Sequence, residues 1–114
     1  MQAGKKPPCA CQGANLGKFT QPIILSIVKQ GGVTGYRIIK QMQGYAMFHG
    51  SNPDPTGIYR YLKSMEEKNL ILNVSQTEDS CYEITEHGLW CLENWKKTIA
   101  QYTDSLQQLL QELE

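Results

Sequence analysis

Apolar residues recur at helical spacing in four segments of the chain and form two short β-like runs in a fifth. In the first segment Ile23, Ile24, Ile27 and Val28 make the buried stripe, Thr20 stands where a cap is needed, and Pro22 falls in the opening turn. A proline there removes no hydrogen bond, because the first helical N–H groups have no partner in any case. Gly31-Gly32 ends this helix. The second helix runs from Gly35 to Gln43 with Thr34 as its cap and Gly44 as its stop. Tyr36, Ile39 and Met42 give it one apolar side with Ile38 adjacent, and Arg37 and Lys40 share the other.

The third segment, Asp54 to Leu70, reads DPTGIYRYLKSMEEKNL. Asp54 caps it, Pro55 takes the first helical position, and Asn69, able to adopt the left-handed conformation, ends it. Ile58, Leu62 and Met65 fall on one face with Tyr61 beside them. Thr56, Arg60 and Lys63 fall on the opposite face, flanked by Tyr59. A buried stripe backed by exposed Thr, Tyr, Arg and Lys is what a helix needs to lie in a DNA major groove. Leu70 to Val74 and Cys81 to Ile84 read as a hairpin. Thr85 then caps a long last helix, with Glu86 complementing its N-terminal dipole.

In that last helix Leu92, Trp95, Ile99, Tyr102, Leu106, Leu109 and Leu113 step alternately by three and four residues. This is an a/d heptad seam. A helix from Glu86 to Leu113 is about 42 Å long, more than a small domain needs for its own core, so the seam predicts a partner helix and a homodimer. Trp90 and Trp95 are five apart and point to different sides, Trp95 lying on the seam. The order of elements is that of a winged helix-turn-helix with a dimerisation helix: mainly α with a small β-hairpin. Residues 1–17 are expected to be a flexible arm, 18–85 the winged helix, and 86–114 the dimerisation helix.

Net charge is zero over 114 residues, which argues against nucleic acid until the distribution is considered. Residues 1–75 hold nine Lys/Arg against three Asp/Glu, a net +6, and residues 76–114 hold two against eight, a net −6. Such a chain can turn a basic face to phosphates and keep its acid elsewhere. There is no apolar run of the roughly 18 residues a membrane span needs, and no signal-peptide pattern, so a cytoplasmic location without membrane contact is expected. Cys9 and Cys11 form a C-x-C in a Pro/Gly-rich stretch. They are weak metal or redox candidates, because structural zinc takes four ligands from paired motifs. His49 and His87 lack ligand spacing. No phosphate loop, H-E-x-x-H or nucleophile motif appears, so neither an enzyme nor a cofactor is expected.

VTGYRIIKQM (Val33 to Met42), PTGIYRYLKSMEEKNLI (Pro55 to Ile71) and CYEITEHGLWCLENW (Cys81 to Trp95) look like successive signatures of the PadR family of transcriptional regulators. LGKFTQPIILSIV (Leu16 to Val28) is similar to that family's first helix, and the single tail helix is similar to its short subgroup. The resemblance implies a homodimeric, usually repressing DNA-binding protein released by a small-molecule or stress effector. By position, Tyr36 matches the family's Gly-Tyr tyrosine, which binds backbone phosphate or packs the helix-turn-helix. Gly57 and Tyr59 match the start of the recognition helix, Arg60 and Lys63 its DNA-facing positions, and Leu89, Leu92 and Trp95 the start of the dimer helix.

The expected DNA-contacting set is therefore Tyr36, Arg37, Lys40, Thr56, Gly57, Tyr59, Arg60 and Lys63, on a palindromic double-stranded operator. Arg60 can contact guanine bidentately or clamp a phosphate. Arg37, Lys40 and Lys63 suit phosphates, which position without specifying. Tyr36 and Tyr59 can contact phosphate or pack the helix-turn-helix. Trp95 can stack on a small hydrophobic or aromatic effector, as interface tryptophans do in drug-sensing PadR members, or pack the dimer. Two features depart from the family. The wing reads SQTEDSCYEIT, with Glu78 and Asp79 near its tip where basic residues are common, so it is expected either to contribute little to DNA binding or to tolerate DNA only at a distance. Asn69 stands where glycine is frequent. The alternative to DNA binding is a winged-helix protein–protein interaction module, motivated by the zero net charge and the acidic wing.

Overall fold

The computed structural model describes residues 19–45, 55–75 and 80–114. The expected arm at 1–17 with Cys9 and Cys11, the Asp54 cap, His49, and Glu78 and Asp79 lie outside the described residues. Seven elements follow in order: α1 (Thr20–Val28), β1 (Val33–Thr34), α2 (Gly35–Met42), α3 (Pro55–Glu67), β2 (Ile71–Asn73), β3 (Cys81–Ile84) and α4 (Glu86–Leu113). This is a mainly helical winged-helix fold with a small antiparallel sheet and a long C-terminal helix.

The two glycines after α1, Asn69 and the threonines at 34 and 85 act where the sequence places them. Gly31 and Gly32 have φ of 88° and 57°, and Asn69 is left-handed at 62°, so the chain reverses after α1 and after α3 without β-carbon strain at the glycines. The Thr34 hydroxyl accepts from the Arg37 N–H at 3.2 Å, and the Thr85 hydroxyl from the Gly88 N–H at 2.9 Å. Each satisfies one of the orphan donors of a helix start. Pro55 occupies the first position of α3.

At the start of α1 an expectation needs correction. Thr20 does not cap α1: Phe19 holds the cap position with no side-chain cap bond, and Thr20 lies buried inside the helix. Aromatic packing decides the start, since the Phe19 ring lies 6.2 Å from Trp95 and 6.3 Å from Tyr102. The expected hairpin forms, β2 pairing antiparallel with β3, and it gains a third strand. Val33 and Thr34 pair with Tyr82 and Cys81, which makes β3 the centre of a three-stranded sheet in the order β1-β3-β2. A two-residue strand is too short to leave an alternating pattern in sequence. Its partner is remote in the chain and found only on folding.

Ile24, Leu25, Ile38, Met42, Leu62, Met65 and Ile71 are fully buried and join α1, α2, α3 and β2 in one core. The apolar stripes predicted for the first three helices are its walls except at Tyr36, which the spacing places on the apolar side of α2 but which is exposed, Ile38 taking its place in the core. Burying each large side chain contributes roughly 1.5–3 kcal/mol, and the two methionines fill the irregular space between helices.

α4 joins this core through its first turn. Thr85 donates its backbone N–H to the Leu70 carbonyl at 3.1 Å. Its hydroxyl lies 2.7 Å from the Asn69 carbonyl and 3.0 Å from that of Leu70, close enough to donate to either. Gly88 sits directly over this junction. A β-carbon there would collide with the Leu70 carbonyl oxygen and come within 2.7 Å of the Ile84 side chain. Only glycine lets the helix approach that far.

Gly88→Ala is therefore expected to lower stability by roughly 1–3 kcal/mol, the usual penalty of overpacking. Urea denaturation followed by circular dichroism measures it, and an unchanged midpoint would mean that α4 can stand off the junction. A pH effect follows from two phenols. Burial raises the Tyr61 and Tyr82 hydroxyls above their ordinary value of 10.0, Glu66 and Tyr59 adding to the effect at Tyr82 and the Ser80 hydrogen bond opposing it. The unfolded chain releases these protons first, so stability is fully present below pH 10 and declines as pH rises above it. Denaturation midpoints taken from pH 9 to 11 should fall, and less steeply in Tyr82→Phe.

Candidate nucleic-acid interface

α3 carries its polar residues on one exposed side. Ile58, Leu62 and Met65 are buried, whereas Thr56, Gly57, Tyr59, Arg60 and Lys63 are exposed. The same division holds in α2, where Ile38, Ile39 and Met42 are buried and Tyr36, Arg37 and Lys40 are exposed. Every residue expected to contact DNA is thus accessible to a large polar ligand.

The two helices meet at a contact that periodicity does not reveal. A β-carbon on Gly35 would lie 2.8 Å from the Tyr59 hydroxyl oxygen and 2.9 Å from its ring carbon Cζ. The bare Gly35 backbone is the floor on which the Tyr59 ring rests, at the N-terminus of α2. Tyr59 therefore packs the helix-turn-helix while 43% of its surface stays exposed. Tyr36 behaves differently. It is 67% exposed, and the Lys40 ammonium lies 5.7 Å from its ring centroid.

Asn73 fixes the base of the wing. Its side-chain Oδ1 accepts from the Ser75 N–H at 3.0 Å and the Cys81 N–H at 3.3 Å, and its side-chain Nδ2 donates to the Ser80 hydroxyl at 3.3 Å. The strand pattern marks Asn73 only as polar. A lone Asn beside a turn was the available signal.

On another face, α1 and α4 enclose a groove of about 550 Å³. Phe19, Pro22, Ile23, Leu92, Trp95 and Ile99 line it, with Lys29, Glu93 and Lys96 among its charged lining residues. Trp95 is held in place by its indole N–H, which donates to the Gln21 side-chain oxygen at 2.8 Å. Trp90 points elsewhere, 62% exposed and stacked on His87 at 5.7 Å. The seam divides into two parts. Leu92 and Trp95 are half-buried against α1, whereas Ile99, Tyr102, Leu106, Leu109 and Leu113 are exposed, Leu113 to 73%.

His87 and Cys91, one helical turn apart on α4, bring the imidazole Nε2 to 3.9 Å from the Cys91 sulfur. Cys81 and Cys91 are free thiols. Among the described residues no group of three or more His, Cys, Asp or Glu could hold a metal ion, and no helix is long and apolar enough to cross a membrane.

Residues 24–94, more than half of the chain, match the transcriptional regulator PadR-like family. No curated protein matches the chain. Among solved structures, a PadR-like transcriptional regulator from Bacillus cereus is 27% identical with a TM-score of 0.71, over 84% of this chain and 95% of that one. A PadR family transcription regulator from Clostridium difficile is 26% identical with a TM-score of 0.66, over 81% of this chain and 98% of that one. A transcriptional regulator from Clostridium thermocellum, 19% identical with a TM-score of 0.69 over 82% and 91% of the two chains, shares the fold.

Proposed function

This chain belongs to the PadR-like family of transcriptional regulators, and we propose that it is a homodimeric, sequence-specific DNA-binding repressor released by a small hydrophobic or aromatic effector. The observation that carries the reading is the exposed side of α3, where Thr56, Arg60 and Lys63 stand away from the buried Ile58, Leu62 and Met65. α3 enters the major groove, Arg60 reading a base or clamping a phosphate, and Lys63, Arg37 and Lys40 neutralising the backbone. Gly57 lets the start of α3 come close to the DNA. With Glu78 and Asp79 in the segment between β2 and β3, the two helices carry more of the contact than in a relative whose wing sequence is basic.

Homodimerisation is supported by the exposed half of the α4 seam. Residues 86–114 serve as the dimerisation helix and 18–85 as the DNA-binding unit. In a symmetric dimer the two α3 helices stand about 34 Å apart, one turn of DNA, which calls for a palindromic operator. The groove beside Trp95 opens next to this seam. A flat effector there changes how the two protomers meet, tilts the α3 helices out of register, and releases the DNA.

Two measurements test the reading. Wild-type protein on the duplex immediately upstream of its own gene should bind with an affinity that falls steeply with salt, by counterion release. Arg60→Ala with Lys63→Ala should weaken binding at least tenfold and lower the salt slope. Unchanged affinity would refute α3 as the recognition helix, and flat salt dependence with no shift of the duplex would favour a protein-interaction module. Leu106→Glu should shift the protein toward monomer in sedimentation at micromolar concentration and weaken DNA binding with it. Wild-type protein that sediments as a monomer would refute the seam as a dimer interface.

A further inference from the structure

We propose that Tyr36 acts as a positioning residue for Lys40, using the face of its ring rather than its hydroxyl; this rests on the DNA-binding reading above. The ring is in an unusual place for a large aromatic side chain. The buried residues of α2 are Gly35, Ile38, Ile39 and Met42, and Tyr36 is left 67% exposed. Core packing therefore does not account for it. What the ring does contact is a cation. Lys40, one helical turn on, holds its ammonium 5.7 Å from the ring centroid. That lies within the roughly 6 Å over which a ring quadrupole attracts a cation.

The platform is fixed in three ways. Thr34 is paired with Cys81 in the sheet, the Thr34 hydroxyl caps the first turn of α2 at the Arg37 N–H, and the Tyr59 ring rests on Gly35. The Tyr36 backbone is thereby tied to the core. Lysine, by contrast, carries its charge on a long, flexible stem. Resting the ammonium on a fixed ring restricts that stem before DNA arrives. Less freedom is then lost when Lys40 meets a phosphate, and the charge is already on the exposed side of α2. The ring thus raises affinity without touching the nucleic acid.

The test is a double-mutant cycle on the upstream duplex, in which Tyr36→Phe keeps the ring and Tyr36→Leu removes it. The leucine variant should bind about two- to five-fold more weakly than the phenylalanine variant, as expected from the roughly 0.5–1 kcal/mol of an exposed cation–π pair. In a Lys40→Ala background the two should bind alike. If Tyr36→Phe loses as much as Tyr36→Leu, the hydroxyl matters and the proposal is overturned. A leucine penalty that persists without Lys40 overturns it as well. An independent readout needs no DNA: the Lys40 Cε protons should show an upfield ring-current shift in the free protein, lost in Tyr36→Leu. Random-coil values in the wild type would refute the pair. If wild-type protein binds no DNA, the functional reading falls and this one with it; normal binding with an additive cycle removes this one alone.

Discussion

The carbonyl of Leu70 is the point on which the architecture turns. It lies where α3 has ended and β2 begins, and it receives the backbone N–H of Thr85 at the entrance to α4. The Thr85 hydroxyl, which caps α4, reaches the same carbonyl and that of Asn69. Gly88 closes the contact by leaving out the one atom that would hold the helices apart. Asn69 supplies the left-handed turn that brings Leu70 there. A buried carbonyl with partners on an adjoining helix is costly to leave unpaired. The end of the candidate recognition helix and the start of the long helix are therefore held to each other.

The molecule divides its work along the sequence. Its first two thirds carry a surplus of positive charge, of which Arg37, Lys40, Arg60 and Lys63 are exposed on α2 and α3. The remainder carries the surplus of negative charge and an apolar seam that the chain itself covers only in part. Zero net charge is the sum of these two surfaces and describes neither. The half-buried Leu92 and Trp95 join the seam to the core through α1, so the groove beside Trp95 borders both the core and the exposed leucines.

Much of this was legible in the sequence because it is local. Helix periodicity, the threonines at positions 34 and 85, the two glycines after α1 and Asn69 each act within a turn or two of themselves. The seam was legible for the same reason, its pattern being internal to one helix. What escaped are features made by remote partners. β1 exists because β3 pairs with it, and Phe19 starts α1 because Trp95 and Tyr102 lie across from it. Gly35 and Gly88 look like weak points for a helix. Each is required because Tyr59 in one case, and the Leu70 carbonyl in the other, takes the space of a β-carbon. Of the candidate interface, the exposed set was readable. The different environments of Tyr36 and Tyr59 were not, because both are aromatic residues near a helix start and only their neighbours separate them.

The junction at Leu70 is made by main-chain atoms, one hydroxyl and a missing side chain, none of them on the outward side of α3. On the proposed reading of α3 as the recognition helix, substitutions at Thr56, Arg60 or Lys63 would alter which nucleotides the surface favours while the junction with α4 stays as it is. The same arrangement of helices can then be inherited by descendants whose outward faces differ, each keeping the same junction while its vocabulary drifts.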